Sequence, residues 1–161
     1  MNATQTIKSL DLYKEVPRSP QETMAGLVHL PRMIDKARAF RTGKLGEYIF
    51  PCPLDRRVLI FLKTSPEDFL DLAEVYDDEQ MAEWALEASR SRNQVERDIV
   101  NNKILDGKPD AESLPDFIKQ RNRIDPARTD VTTWVDLIDL EEGRRRSAGA
   151  KRADSAGASP W

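Results

Sequence analysis

A chain of 161 residues, 39% hydrophobic and 33% charged, has room for one domain and enough apolar side chains to close a core without staples, which excludes wholesale disorder. Its single cysteine excludes an intramolecular disulfide. The opening MNATQTIKSLDLYKEVPRSP has no apolar run of signal-peptide type, and no stretch is apolar enough to span a bilayer, so the cytoplasm is the expected compartment. The formal net charge of −3 is unevenly spread: from Arg144 onward five basic residues face one acid, Asp154, leaving −7 on residues 1–143.

Residues 1–18 read as an extended N-terminal arm ending at Val16-Pro17, of which 1–9 are expected to be flexible. Ser19-Pro20-Gln21-Glu22 has the composition of a capping box with proline at the first helical position, and predicts a helix start. Pro31 opens a second helix that Gly43 closes. The segment 43–53, with two glycines and two prolines, reads as a structured loop. Asp55 should start a helix from Arg56 to Lys63, with Val58, Leu59, Phe61 and Leu62 in the core.

Ser65-Pro66-Glu67-Asp68 and Asp77-Asp78-Glu79-Gln80 repeat the cap chemistry. Phe69, Leu72, Ala73 and Tyr76 follow the i, i+3, i+4, i+7 spacing of a helix face, and Met81, Trp84, Ala85 and Ala88 do so again. Val95, Ile99 and Ile104 continue an apolar stripe that stops at Gly107. Phe117, Ile118, Arg121 and Ile124 mark a short helix after Ser113. Trp134, Val135, Leu137, Ile138 and Leu140 form a last one, closed by Gly143. No alternating Val/Ile/Thr run argues for a sheet. The fold expected is all-α: one domain over residues 10–143 with six to eight short helices, and a disordered basic tail over 144–161. Trp84 and Trp134 belong to the core, whereas Trp161 lies in the tail.

The text of residues 12–54 is distinctive: Val16-Pro17-Arg18-Ser19-Pro20, Leu27-Val28-His29-Leu30-Pro31-Arg32-Met33-Ile34-Asp35-Lys36, Gly43-Lys44-Leu45-Gly46-Glu47-Tyr48 and Cys52-Pro53-Leu54-Asp55. With the closing Trp134-Val135-Asp136-Leu137-Ile138-Asp139-Leu140-Glu141-Glu142-Gly143-Arg144, it resembles a bacterial family known as a domain of unknown function, number 5069, over most of residues 10–144. The resemblance implies a small bacterial helical domain and carries no reaction with it.

Chemistry therefore has to be read from the residues. Pro31 to Lys44 holds five cations (Arg32, Lys36, Arg38, Arg41, Lys44) and one acid, Asp35, a local +4. Ile34, Ala37 and Phe40 or Arg41 read as the buried side, which leaves the cations outside or at an edge. One reading is a site for a small anionic ligand held by Arg32, Lys36 and Arg38, since arginine forks match phosphate and carboxylate geometry. The other is pairing with acids elsewhere on an acidic body, Asp35 itself being placed for Arg32 and Arg38 at i±3.

His29, the sole histidine, is either a general base or ligand, or a turn residue bonded to backbone. Cys52, between Pro51 and Pro53, is either a nucleophile ahead of a helix N-terminus or a small packed side chain. Joined, the two would make a catalytic dyad. A metal site is not supported, because one His and one Cys fall short of the four ligands of structural zinc unless Asp35, Asp55 or Glu47 completes them. Tyr48 and Glu47 lie in the glycine-flanked loop and serve either a ligand or the anchoring of that loop.

No phosphate-binding loop, dinucleotide fingerprint, HExxH or CxxC occurs, so no cofactor is indicated. The tail lacks interleaved aromatics, which argues against specific nucleic-acid binding. The leading expectation is a non-catalytic binding or regulatory module for a small anionic ligand or a protein partner, with Arg32, Asp35, Lys36, Arg38, Tyr48 and Asp55 as ligand contacts. The alternative is an enzyme centred on Cys52 and His29. Oligomeric state has no signature here.

Overall fold

The computed structural model describes residues 7–144, and among these the chain forms one antiparallel hairpin and seven helices. The fold is helical, as expected, with one departure near its start. Strands β1 (Thr23–Met24) and β2 (Leu27–Val28) pair Thr23 with Val28 and Met24 with Leu27. The Ala25 and Gly26 between them both have positive φ, 54° and 75°, as a two-residue primed hairpin turn requires.

No helix starts at Ser19. Ser19 Oγ accepts the Gln21 amide at 3.0 Å and Glu22 Oε2 accepts the Ser19 amide at 3.3 Å, so the cap chemistry forms but closes a single turn. A helix there would meet the Ala25-Gly26 turn, both with positive φ, within a few residues, too short a run to offset the cost of nucleation. Similarly, the arm is interrupted by a turn at Asp11, whose carboxylate accepts the Tyr13 amide at 3.0 Å.

Helix α1 (Leu30–Arg41) is followed by α2 (Pro53–Phe61), α3 (Pro66–Val75), α4 (Asp78–Ala88), α5 (Gln94–Leu105), α6 (Leu114–Ile124) and α7 (Trp134–Glu141). The caps at Ser65 and Asp77 do form: Ser65 Oγ accepts from the Asp68 amide at 3.1 Å, and Asp77 and Gln80 exchange reciprocal bonds of 2.9 and 3.0 Å. Two further caps, at Cys52 and Thr133, begin α2 and α7. The start of α2 therefore lies three residues before the expected one: with Pro53 in the first turn, Asp55 becomes the acid that reaches back to the Cys52 amide. Asn93 and Glu96 make the same reciprocal pair ahead of α5.

The chain divides at Val100/Asn101 into two compact units. In the first, α1 is buried on every side: all residues from Leu30 to Ala39 are closed to solvent. It packs mainly on α3, with β1 and α2 also against it, and its apolar members Leu30, Met33, Ile34 and Ala37 join Val58, Phe69, Ala73, Met81 and Ala85 in the core. An aromatic file runs through the unit, Phe40 to Phe50 to Phe69 to Trp84, with ring centroids 6.3, 6.2 and 5.8 Å apart.

The expected buried side of α1 holds for Ile34 and Ala37 but fails for Phe40, which is 45% exposed, and for Arg41, which pairs at the surface with Asp71 and Glu74. The cations placed outside are inside: Arg32, Lys36 and Arg38 are at most 6% exposed. In α5, Val95 and Ile99 face solvent, and only Ile104 of that stripe is buried. The second unit closes on Phe117, Val131 and Leu137, with Ile118, Trp134 and Leu140 against them. Phe117 meets Trp134 edge-on at 5.2 Å. Arg144 folds back on Asp139 at 3.0 Å, while the rest of the basic tail and Trp161 lie outside the described residues.

Candidate functional site

The site starts with an unusual helix entry. His29 precedes α1 in the left-handed region, φ 74° and ψ −20°, and its side chain makes no capping bond. Such a backbone costs a non-glycine residue about 1–3 kcal/mol and persists only where the surroundings hold it. Here the hairpin holds it on one side, the His29 amide donating to Glu22 O at 3.1 Å. On the other side the imidazole is drawn to Asp55, 2.6 Å from Nε2 to Oδ1, with both side chains shut off from solvent.

Asp55 is the hub. Its Oδ2 accepts from the Lys36 ammonium at 2.7 Å and from the Cys52 amide at 2.8 Å. Lys36 Nζ also donates to the Ile49 carbonyl at 3.0 Å and to Cys52 Sγ at 3.3 Å. One lysine thus ties α1 to the loop before α2 and to the α2 cap. Lys36 is 3% exposed, whereas Cys52 is half-buried, so Cys52 is the more open residue of the two.

The electrostatics follow from these contacts. Burial by itself would raise the Asp55 carboxyl, but the His29 hydrogen bond and the Lys36 charge more than offset it and hold it at about 2. Burial pushes the His29 imidazole below its usual 6.5, against the pull of Asp55. A neutral His29 beside an ionised Asp55 must donate through Nε2, because a carboxylate only accepts. That leaves Nδ1 as a buried acceptor without a partner among the described residues.

The remaining candidate residues form other contacts. Asp35 does not pair with Arg32 or Arg38; it takes the Arg18 amide at 2.8 Å and the Arg18 guanidinium at 3.0 and 2.9 Å. Arg18 also reaches Asp78 at 2.8 Å, which in turn holds Arg38 at 2.9 Å, and Arg38 donates to the Ala73 and Tyr76 carbonyls. Arg32 donates to the Arg18 carbonyl at 3.2 Å and lies over the Tyr48 ring at 5.4 Å. Tyr48 with Glu47, Leu12 and Tyr13 walls a cleft of about 330 Å³. The arm reaches this cleft because Leu12 N bonds Lys44 O at 2.9 Å. Sequence reasoning missed Arg18, Asp78 and Tyr13; for Arg18 the available signal was a lone cation at the arm's end beside Ser19-Pro20.

Chemically, the expected Cys52–His29 dyad is not the contact that forms, since Asp55 holds the histidine nitrogen and Lys36 meets the sulfur. His29, Cys52 and Asp55 offer ligand atoms within 4.8 Å of one another, a spacing that suits a metal ion. The Lys36 ammonium already supplies the positive charge at that place and bonds two of the three groups, so the donor set fits an internal cation better than an added one.

Fold and site together define a small helical protein built around a buried, charge-paired helix and a Cys–Lys–Asp–His cluster. The chain belongs to the family described as Domain of unknown function (DUF5069), which matches residues 14–144. No curated protein matches it. Among the described residues no helix is long and apolar enough to cross a membrane.

Proposed function

We propose that this chain is a non-catalytic regulatory module of the bacterial cytoplasm that binds a protein partner at the cleft between its arm and the loop before α2. The observation that carries this reading is the cleft itself: Tyr13 and Tyr48 stand in its wall, Tyr13 is 71% exposed, and Ile49, next in the chain, is 68% exposed. An exposed tyrosine and an exposed isoleucine flanking a half-buried tyrosine, backed by packed structure, are the kind of residues that partner-binding surfaces are made of. The backing is supplied by Lys36, which holds the Ile49 carbonyl from below.

A small anionic ligand is less well supported, because Lys36 and Arg38 spend their charge on Asp55 and Asp78. An enzyme centred on Cys52 and His29 is less well supported too, because His29 is closed to solvent and bonded to Asp55.

A photoreactive residue in place of Tyr13 or Ile49, used in the host cell, tests the proposal. The same protein should be captured from both positions, not from Leu86 or Val75, which are exposed elsewhere at 54% and 64%, and capture should fall with Tyr48→Ser and persist with Cys52→Ala. Capture that is equal at all four positions, or absent at all, rejects the reading.

A further inference from the structure

We propose that Cys52 and Lys36 form a modification site in which oxidation by a hydroperoxide joins Sγ to Nζ through a reversible sulfenamide bond, tying α1 to the start of α2. The inference stands apart from the partner-binding reading and rests on the cluster alone.

Three features of the geometry point there. The amine is already against the sulfur at 3.3 Å, held in place by Asp55 at 2.7 Å and the Ile49 carbonyl at 3.0 Å. Cys52 is half-buried and Lys36 3% exposed, so Cys52 is the member of the pair more open to an oxidant, while the amine is kept out of bulk solvent and against the sulfur. The chain has a single cysteine, so no second thiol of its own competes to resolve an oxidised sulfur. A sulfenic acid next to a nitrogen nucleophile condenses to a sulfenamide.

The Cys52 thiol attacks the hydroperoxide; the O–O bond breaks, sulfur is oxidised to sulfenic acid, and the peroxide leaves as an alcohol, or as water when it is hydrogen peroxide. The Lys36 ammonium releases one proton to water, Asp55 staying ionised. The freed amine attacks the sulfenic sulfur; the S–N bond forms, the S–O bond breaks, and the hydroxyl leaves with the amine's second proton as water. Lys36 keeps one N–H. Two equivalents of an external thiol reverse the bond, returning Cys52 and Lys36 and yielding a disulfide.

The experiment treats the full chain with graded hydrogen peroxide, blocks remaining thiol by alkylation without reductant, and reads intact mass and a denatured tryptic digest. The expected product is lighter by two hydrogens, about 2 Da, lacks cleavage after Lys36, joins the Lys36 and Cys52 peptides, and reverts with dithiothreitol. Lys36→Arg, checked for folding by circular dichroism, should instead accumulate sulfenic acid that dimedone traps. Because the decisive readout is on the wild-type chain, a misfolded variant leaves the test intact. Wild-type protein that goes to sulfinic acid or to a disulfide-linked dimer with cleavage after Lys36 unchanged overturns the proposal.

Discussion

His29 and Asp55 lie twenty-six residues apart in the chain and meet at 2.6 Å with both side chains closed to solvent. Both have depressed folded-state pKa values, so both make the fold acid-labile. The unfolded chain takes up a proton on His29 as pH falls through its ordinary 6.5, and the folded chain resists doing so until lower pH. Stability is therefore full above that value and declines below it. Asp55 adds a second loss between its ordinary 3.8 and about 2. Urea midpoints measured from neutral pH downward should begin to fall near 6.5. His29→Asn, which tolerates the left-handed backbone, should flatten that first decline. An unchanged pH profile in the variant would assign the decline to other groups.

Lys36→Met should be among the most damaging single changes in the first unit. It keeps the aliphatic stem but strands the fully buried Asp55 carboxylate, and an orphaned buried charge costs about 3–5 kcal/mol. Adding Asp55→Asn to Lys36→Met should cost less than the two single changes summed, since the second removes the charge the first left unpaired. Strict additivity in chemical denaturation would mean that the two groups do not sense each other.

The two acids that hold Arg18 should rank differently. Asp35 is 8% exposed in its side chain and accepts three bonds from Arg18, whereas Asp78 is 46% exposed. Asp35→Asn should cost about 1–3 kcal/mol, a range discounted for the partial exposure of Arg18, and Asp78→Asn about 1 kcal/mol or less. The reverse order in urea unfolding would place the weight of the network on α4 instead of on α1.

What was legible in the sequence was local. The caps at Ser65 and Asp77, the Phe69 and Met81 stripes and the stop at Gly143 are each decided within one or two turns of chain, and each is present. The burial of α1 was not legible, because its charged residues are compensated by Arg18, Asp55 and Asp78, at distances no helical period encodes. An amphipathic reading assumes one wet face, and α1 has none before Phe40. The hairpin was hidden for a related reason: two-residue strands carry no alternation, and only Ala25-Gly26 betrayed the turn. Segment 29–55 was legible as a place of interest, whereas its wiring was not. That Lys36, rather than His29, meets the Cys52 sulfur depends on Asp55 serving at once as helix cap and hub.

The arm's attachment makes the last prediction. At Gly46 the backbone has φ +65°, and a Cβ there would stand 2.6 Å from the Leu12 carbonyl oxygen, closer than any real contact allows. Gly46→Ala therefore faces two costs: the left-handed backbone, about 1–2 kcal/mol, and a clash that only movement of the arm relieves. The movement should break the Leu12–Lys44 bond and open the cleft wall at Tyr13 without touching the Asp55 hub. The expected outcome is faster tryptic cleavage after Lys14 with little change in the global unfolding midpoint beyond the backbone cost. Gly43→Ala is the control, since nothing lies within 4 Å of the added carbon there and it shares the positive φ, at 71°. If both variants cleave alike, backbone strain alone accounts for the effect, and the close approach of Leu12 does not hold the arm in place.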